Sequence, residues 1–220
     1  VLFMASFGMI MPELPGFLTA LGRPDLIGWI VGLFTIGAFA SRFISGRIAD
    51  AAGRRPVMLF GTWVTMVAGL GYILIGWLTP ELTASYSGIP LVVWLFLLLR
   101  LLHGMSTGFR PTGTTAFLTD TTPIRRRGEA LGYLGVAGNA GMAGGPALGS
   151  WLTVEFGYDA MFLTSSGLGL LALLLTIRLP ESLPNSRKVR WQDLNVFSGP
   201  VLDWSSWSAS LALLPVAFAF

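Results

Sequence analysis

The stretch GRIADAAGRRP, residues 46–56, separates two long apolar runs and is the most informative part of the sequence. It places two glycines and an aspartate at fixed spacing among three arginines. Because glycine lacks a Cβ, Gly46 and Gly53 are predicted to bracket a tight reversal of the backbone between two antiparallel helices. Asp50 lies within a few residues of all three arginines, so a charge cluster is predicted at this turn.

The composition around this stretch is typical of a membrane protein. Of 220 residues, 53% are hydrophobic and 11% are charged, whereas about a quarter of the residues in a soluble domain are charged. A helix needs about 20 apolar residues to cross a hydrocarbon core about 30 Å thick. Backbone groups in lipid must be paired within their own segment, so every span is predicted to be a helix. The predicted spans are 1–21, 26–45, 57–78, 91–118, 130–152, 160–177 and a seventh from residue 200 onward.

Lysine and arginine are distributed unequally between alternate loops. The links between spans are short, so neighbouring spans are predicted to run antiparallel. One set of loops carries ten basic residues and the other carries only Arg23. Short basic loops stay on the cytoplasmic side, which predicts a cytoplasmic N-terminus and argues against a nucleic-acid-binding role for the net positive charge. The ten are Arg47, Arg54, Arg55, Arg125, Arg126, Arg127, Arg178, Arg187, Lys188 and Arg190.

The fourth predicted span carries ionisable side chains in the membrane interior. Placing such a group at the centre of a span costs about 2.5 to 3.5 kcal/mol on insertion scales, so its default interpretation is functional. Arg100, His103, Thr107 and Arg110 recur at helical spacing and are predicted to share one face that lines water or a polar partner. His103 is either a proton relay or a hydrogen-bonding strut. Arg110 lies towards the end of the helix that bears Asp120, and Asp120 is predicted to form a second surface charge cluster with Arg125, Arg126 and Arg127.

The first predicted span contains one acid, Glu13. At 1.5 Å per residue, Glu13 lies about 14 Å and Arg100 about 15 Å below the outer boundary, so the two are matched in depth and are predicted to pair. Burial favours the protonated carboxyl whereas a nearby cation favours the carboxylate. Glu13 is therefore predicted to be the proton carrier; the alternative is a static structural pair.

The fifth predicted span is rich in glycine, which permits close approach of helix backbones. Gly141, Gly145 and Gly149 recur at a spacing of four, as do Gly28 and Gly32 in the second span. Cysteine is absent, and no metal site or cofactor is predicted.

Residues 46–56 resemble the signature loop between helices two and three of the major facilitator superfamily, whose pattern reads G-x-L-a-D-r-x-G-r-k. Ile48 replaces the leucine, and Ala51 replaces the optional basic residue. In that family the aspartate and arginine belong to a charge network that latches the two halves of the transporter on the cytoplasmic side. The resemblance implies gating roles, without substrate contact, for Gly46, Asp50, Gly53, Arg54 and Arg55.

Three further segments resemble motifs of the same family. Residues 100–104 resemble its fourth-helix pattern R-x-x-q-G, with His103 in place of the usual amide. Residues 11–15 resemble the proline-rich first-helix motif of twelve-span drug and proton exchangers. The fifth span resembles the antiporter motif G-x-x-x-G-P-x-x-G-G, which is associated with exporters, although Leu148 replaces one glycine; generic Gly-Pro helix packing is the competing account. The antiporter motif is matched at Gly141, Gly145, Pro146 and Gly149.

The resemblance implies an all-α integral membrane fold, with the six-helix N-terminal bundle of the superfamily followed by the start of the seventh helix. The six-helix domain is predicted at 1–179, a cytoplasmic link at 180–199, and the incomplete seventh helix, entered near Asp203, at 200–220. The implied function is proton-coupled efflux of a small organic solute or drug by alternating access, in a multi-pass protein of the bacterial inner membrane that is not an enzyme and works as a monomer once its second half is present. A uniporter or proton symporter for metabolite uptake on the same fold remains the alternative.

Other membrane classes fit less well. The one lysine, Lys188, lies in a predicted loop, which argues against a retinal protein. Ser165 or Ser166 and His103 occur in the order opposite to that of rhomboid proteases and without the G-x-S-G pattern. The pore loop or acidic ring expected of a channel is also missing from the sequence.

Overall fold

The computed structural model describes residues 1–78, 85–86, 88–187 and 189–190, and this part is almost entirely helical. The predicted seventh span, including Asp203, lies outside the described residues, as does much of the predicted link. The all-α prediction is confirmed. The elements are α1 (Leu2–Ile10), α2 (Leu14–Ala20), a 3-10 turn (Pro24–Leu26), α3 (Ile27–Ala52), α4 (Arg54–Trp77), β1 (Ser85–Tyr86), β2 (Ile89–Pro90), α5 (Leu91–Thr121), a second 3-10 turn (Ile124–Arg126) and α6 (Arg127–Ile177).

The long helix α6 contains two membrane crossings. Gly157 has φ 84° and ψ 174°, so the helix is interrupted there. A Cβ on Gly145 would lie 2.7 Å from the carbonyl oxygen of Ala5, and the Ser165 hydroxyl donates to the carbonyl of Ser6 at 2.7 Å. Twenty residues of straight helix would separate these two contacts by about 30 Å. The chain therefore turns back at Gly157, and the predicted fifth and sixth spans are the two arms of α6.

The first predicted span is broken into α1 and α2 around residues 11–13. Pro12 and Pro15 cannot donate backbone hydrogen bonds, and a proline ring clashes with the preceding helical turn. The half-buried Glu13 lies at this break, immediately before α2. The stretch Leu2–Ala20 is still long and apolar enough to cross a membrane, so the predicted first span is confirmed with an interruption at its prolines.

The turn between α3 and α4 consists of Gly53 alone. Its φ of 113° and ψ of 165° are accessible to glycine and strained for other residues. Gly46 instead lies inside α3, where a Cβ would meet nothing within 4 Å. The prediction that Gly46 and Gly53 bracket the reversal is therefore wrong for Gly46, because the helix continues beyond the apolar span to Ala52.

Aromatic side chains pack the core between α2, α4, α5 and α6. Tyr72, Phe96 and Phe162 are fully buried, and the rings of Tyr72 and Phe162 stack at a centroid distance of 5.2 Å. The surrounding helices are unequally covered. Of the most apolar stretch of residues 24–52, only 17% is buried, against 50% in α4 and in α5.

The links alternate between two ends of the bundle, as predicted. The turns around Gly53 and Thr122 lie at one end, called here the basic end, and Arg54 bridges them. At the opposite end, Arg23 donates to the carbonyl of Gly88 and the Trp77 indole donates to Asp159 at 2.9 Å. Within the described part of the chain, five helical stretches, one of them α6 with its two arms, are long and apolar enough to cross a membrane.

Candidate functional site

Arg54 is the centre of a charge cluster at the basic end. Its guanidinium donates to Asp50 at 2.9 Å and to Asp120 at 2.8 Å, and also to the carbonyl of Ala49 at 2.6 Å. The Arg54 side chain is 12% exposed, whereas that of Asp50 is 77% exposed. The predicted charge cluster around Asp50 is confirmed for Arg54, and Asp50 keeps a free face towards its surroundings.

Asp120 was expected to form a second surface cluster with Arg125, Arg126 and Arg127, and this expectation is wrong. Asp120 pairs with Arg54, whereas Arg126 pairs with Glu129 one helical turn away at 3.0 Å. The reason is tertiary: α4 and α5 pack side by side, which brings the end of α5 to the start of α4.

Glu181, which the sequence interpretation missed, caps the start of α4. Its carboxylate accepts the backbone N–H groups of Arg54 at 2.9 Å and Arg55 at 3.1 Å, together with those of Ser182 at 2.9 Å and Leu183 at 3.0 Å. The first backbone N–H groups of a helix have no partner within the helix, and the helix dipole favours a negative charge there. The signal available in the sequence was an acid just after the sixth predicted span, in a basic segment.

Two further contacts attach the segment after α6 to the basic end, and a third attaches the last residue of α6. The Ser182 hydroxyl lies 3.0 Å from Asp120, and the Arg187 backbone donates to Ala51 at 2.8 Å. Arg55 donates to the carbonyl of Ile177. The basic-end cluster is defined here as Asp50, Arg54, Asp120, Glu181 and Ser182.

Gly53 is required by the cluster as well as by the turn. A Cβ at this position would collide with the Glu181 carboxylate. Glycine at position 53 therefore satisfies both a positive φ and a close contact with Glu181, while Gly46 satisfies neither.

Arg100 is fully buried beside the break in the first span. It donates to the carbonyl of Ile30 at 2.9 Å and lies 2.6 Å from the sulfur of Met11. Its guanidinium also stacks 4.3 Å from the centroid of the Phe34 ring. A cation held between an aromatic face, a carbonyl and a thioether keeps its positive charge without a carboxylate.

His103 is fully buried next to Arg100. Its Nδ1 lies 3.5 Å from an Arg100 nitrogen and 3.4 Å from the Tyr72 hydroxyl. Arginine can only donate, so Nδ1 acts as the acceptor, the role of a neutral imidazole. Nε2 is buried without a hydrogen-bond partner among the described residues. The geometry favours the strut over the relay.

Glu13 does not pair with Arg100 in the part of the chain that the structure describes. Its carboxylate accepts a hydrogen bond from Ser150 of α6. The depth of Glu13 relative to Arg100 was predicted well, since Arg100 contacts Met11, which lies two residues before Glu13. The direction of the Glu13 side chain was predicted wrongly, because the helix break turns it towards α6 and not towards α5.

Arg110 lies on α5 and lines a cavity between α1, α5 and α6. It donates to the hydroxyls of Thr114 at 3.1 Å and of Thr62. The expectation that Arg100, His103 and Arg110 line one polar surface is therefore wrong for the first two, which are enclosed by the helices around them.

Gly141, Gly145 and Gly149 pack against α1, as the spacing predicts. A Cβ at any of them would lie 2.5 to 2.7 Å from a backbone oxygen of α1. Pro146 belongs to the same contact, since a Cβ on Gly8 would lie 3.3 Å from its Cδ. Gly28 and Gly32 have open space around them, so the close approach expected there is not made within the described residues.

Comparisons with known proteins agree with this architecture. A family model described as Major Facilitator Superfamily matches residues 1–220. The chain is 30% identical over 191 residues to Multidrug resistance protein 1 of Bacillus subtilis, covering 85% of this chain and 45% of that protein. It is 34% identical over 182 residues to the Multi-drug resistance efflux pump PmrA homolog of Lactococcus lactis, covering 79% and 40%.

A solved structure shares the fold. The human organic anion transporter MFSD10 (TETRAN) superimposes with a TM-score of 0.64 at 24% identity, over 90% of this chain and 50% of that one. The chain thus spans less than half the length of the two bacterial relatives. The family model matches the whole chain, and the arrangement of helices agrees with that match. The chain therefore belongs to the Major Facilitator Superfamily.

Proposed function

We propose that this chain is the N-terminal half of a secondary active transporter that exports small organic solutes or drugs in exchange for protons. The observation that carries the proposal is the break in the first span, which places the carboxylate of Glu13 against Ser150 of α6. Ser150 directly follows Gly149, one of the glycines packed on α1. A titratable group is thus joined to the contact that would have to change during transport. The two bacterial relatives are named for multidrug resistance and drug efflux.

Proton exchange acts through this hydrogen bond. The Ser150 hydroxyl donates to the Glu13 carboxylate, and hydrogen bonds to an ionised acceptor are about twice as strong as neutral ones. Protonation of Glu13 removes the charge, weakens its bond to Ser150 and lowers the cost of exposing the acid to a nonpolar environment. Release of the proton restores the bond. The protonation state of Glu13 thereby biases the α1–α6 contact between two arrangements.

The basic-end cluster is the second part of the mechanism. The cluster lies on the cytoplasmic side, with the N-terminus, because the loops at this end of the bundle carry the excess of arginine. Asp50 leaves one face exposed and can receive a partner from the second half of the transporter. Closure of this latch seals the cytoplasmic side while the solute leaves towards the outside, as alternating access requires.

The test uses the full-length transporter in inside-out vesicles with an acidified lumen. A cationic or neutral dye should accumulate in the lumen, and a protonophore should abolish the accumulation. Glu13→Gln should remove at least about nine tenths of the pH-driven accumulation while dye binding persists, because the carrier of the proton is gone. Glu155→Gln, which alters an exposed acid of α6, is the matched control.

Two outcomes would contradict the proposal. Unchanged proton coupling in Glu13→Gln would eliminate this acid as the carrier. Movement of preloaded solute out of the acidified lumen together with protons would identify an uptake symporter, the alternative function on the same fold.

A further inference from the structure

Arg110 is a fixed cation that has neutral partners. Its Nε donates to the Thr114 hydroxyl at 3.1 Å, and an Nη donates to the Thr62 hydroxyl. Both hydroxyls give their own protons to backbone carbonyls, Thr62 to Met58 at 2.7 Å and Thr114 to Arg110 at 2.8 Å. Their oxygens are therefore committed to accepting from the guanidinium, which holds its plane in one orientation.

Arg110 lines a cavity. Its volume is about 110 Å³, room for a carboxylate and the first carbons attached to it, since one water occupies about 30 Å³ in the liquid. The Arg110 carbon Cζ lies 5.3 Å from the centroid of the Phe3 ring. The lining is otherwise mostly apolar, with hydroxyl groups from α5; it includes Phe3, Pro111, Thr114, Thr115, Leu134 and Gly138.

Arg110 forms no ion pair with any residue that the structure describes, in contrast to Arg54 with its two carboxylates. Arg100 also lacks an acid, but it is fully buried and its donors point at Ile30, Met11 and His103. Arg110 is thus an arginine with committed neutral contacts and donors left over at the wall of a cavity. A charge held inside a membrane protein is expensive unless an opposite charge reaches it.

From this arrangement we propose that Arg110 binds the carboxylate of the transported solute, so that the cargo includes amphiphilic organic acids whose apolar body lies along Phe3 and Leu134. Arginine presents parallel N–H groups that match the two oxygens of a carboxylate. The inference rests on the proposed function and names a substrate class for it. A carboxylate side chain from the second half of the transporter is the other source of the same chemistry.

The experiment measures equilibrium binding by fluorescence polarisation to the purified full-length transporter. The probes are a xanthene dye with a free carboxylate and the methyl ester of the same dye, which differ only in the group that Arg110 would bind. The unaltered protein should bind the acid more tightly than the ester. Arg110→Gln should weaken binding of the acid at least about tenfold and change binding of the ester by less than about twofold.

Three further variants separate the possible causes. Arg125→Gln removes an equal charge from an exposed position and should leave both affinities unchanged. Arg110→Lys should restore part of the preference for the acid, because it keeps the charge without the planar fork. Thr62→Val, which releases one side of the guanidinium, should reduce the preference by a smaller factor.

The outcomes discriminate between sources and between proposals. Equal weakening of acid and ester in Arg110→Gln would overturn the inference and indicate a carboxylate of the protein as the partner. Failure of the unaltered protein to bind the acid would overturn it as well. If dyes are transported against a proton gradient while Arg110→Gln keeps its preference for the acid, the inference fails and the proposed function stands.

Discussion

The basic end and the membrane interior of this bundle treat their arginines in opposite ways. At the basic end, Arg54 is shared by two carboxylates and a carbonyl, and Glu181 caps the adjacent helix. In the interior, Arg100 and Arg110 have hydroxyl, carbonyl, sulfur and aromatic partners. Arg54 is thus balanced by carboxylates, whereas Arg100 and Arg110 form no ion pair with any residue that the structure describes.

Energetics explain why the difference is informative. An exposed ion pair contributes about 0 to 1 kcal/mol, so pairing adds little to the stability of the basic end. Its pairing serves geometry and function. An ionisable group at the centre of a span costs about 2.5 to 3.5 kcal/mol on insertion scales, so Arg100 depends on the carbonyl, sulfur and aromatic contacts that enclose it. Substitutions that alter one region and spare the other test this comparison.

The largest effect is expected at the interior contact between α1 and α6. Gly145→Val places a β-branched side chain 2.7 Å from the backbone of Ala5, and backbone cannot move aside as a flexible side chain can. We expect loss of several kcal/mol of stability, in the range of severe overpacking, and loss of the folded, monodisperse protein in size-exclusion chromatography. Gly144→Val is the matched control, because a Cβ there meets open space within the described chain.

A smaller effect is expected at the turn of the basic end. Gly53→Ala forces a backbone conformation that is nearly exclusive to glycine, which costs about 1 to 3 kcal/mol, and displaces the Glu181 carboxylate. The protein should insert and remain helical but lose at least about nine tenths of its transport rate in vesicles. Gly46→Ala in the same motif should stabilise α3 by about 1 kcal/mol, because that glycine is helical and open. Similar transport losses in both variants would show that the motif does not act through Gly53.

The features that sequence predicted well are local. The spans follow from runs of apolar residues, and the pairing of Asp50 with Arg54 follows from a spacing of four on one helix. The level of Glu13 relative to Arg100 follows from a fixed rise per residue, and Arg100 does reach the break that precedes α2.

The features that sequence missed depend on the packing of distant elements. Whether Asp120 meets Arg54 or its own neighbours depends on how α5 lies against α4. The cap from Glu181 requires that the segment after α6 return to the start of α4. The hydrogen bond from Ser150 to Glu13 requires that α6 pack beside the helix break. Helical periodicity specifies none of these.

Removing the charge from the helix cap should show whether the cap contributes to the function of the cytoplasmic latch. Glu181→Gln keeps the size of the side chain but loses the favourable interaction of a carboxylate with the start of α4, worth about 0.3 to 1 kcal/mol. We expect a two- to fivefold fall in transport rate and stronger proteolysis of the segment after residue 178, measured by limited digestion. Glu129→Gln removes an exposed acid of the neighbouring turn and should change neither quantity. A normal rate with normal proteolysis in Glu181→Gln would mean that the cap has no part in the latch.

The smallest effect is expected from Ser150→Ala, a substitution at the interior contact between Glu13 and α6. The substitution removes the hydrogen bond to Glu13 but leaves the carboxyl and the packing of Gly149 on α1 in place. Losing one hydrogen bond weakens the tie between Glu13 and α6 without removing the acid. The rate of dye accumulation should fall by less than about threefold relative to the unaltered protein. Ser150→Thr keeps a hydroxyl and should leave the rate unchanged. A loss as large as that expected for Glu13→Gln would mean that the hydrogen bond is as important for transport as the acid itself.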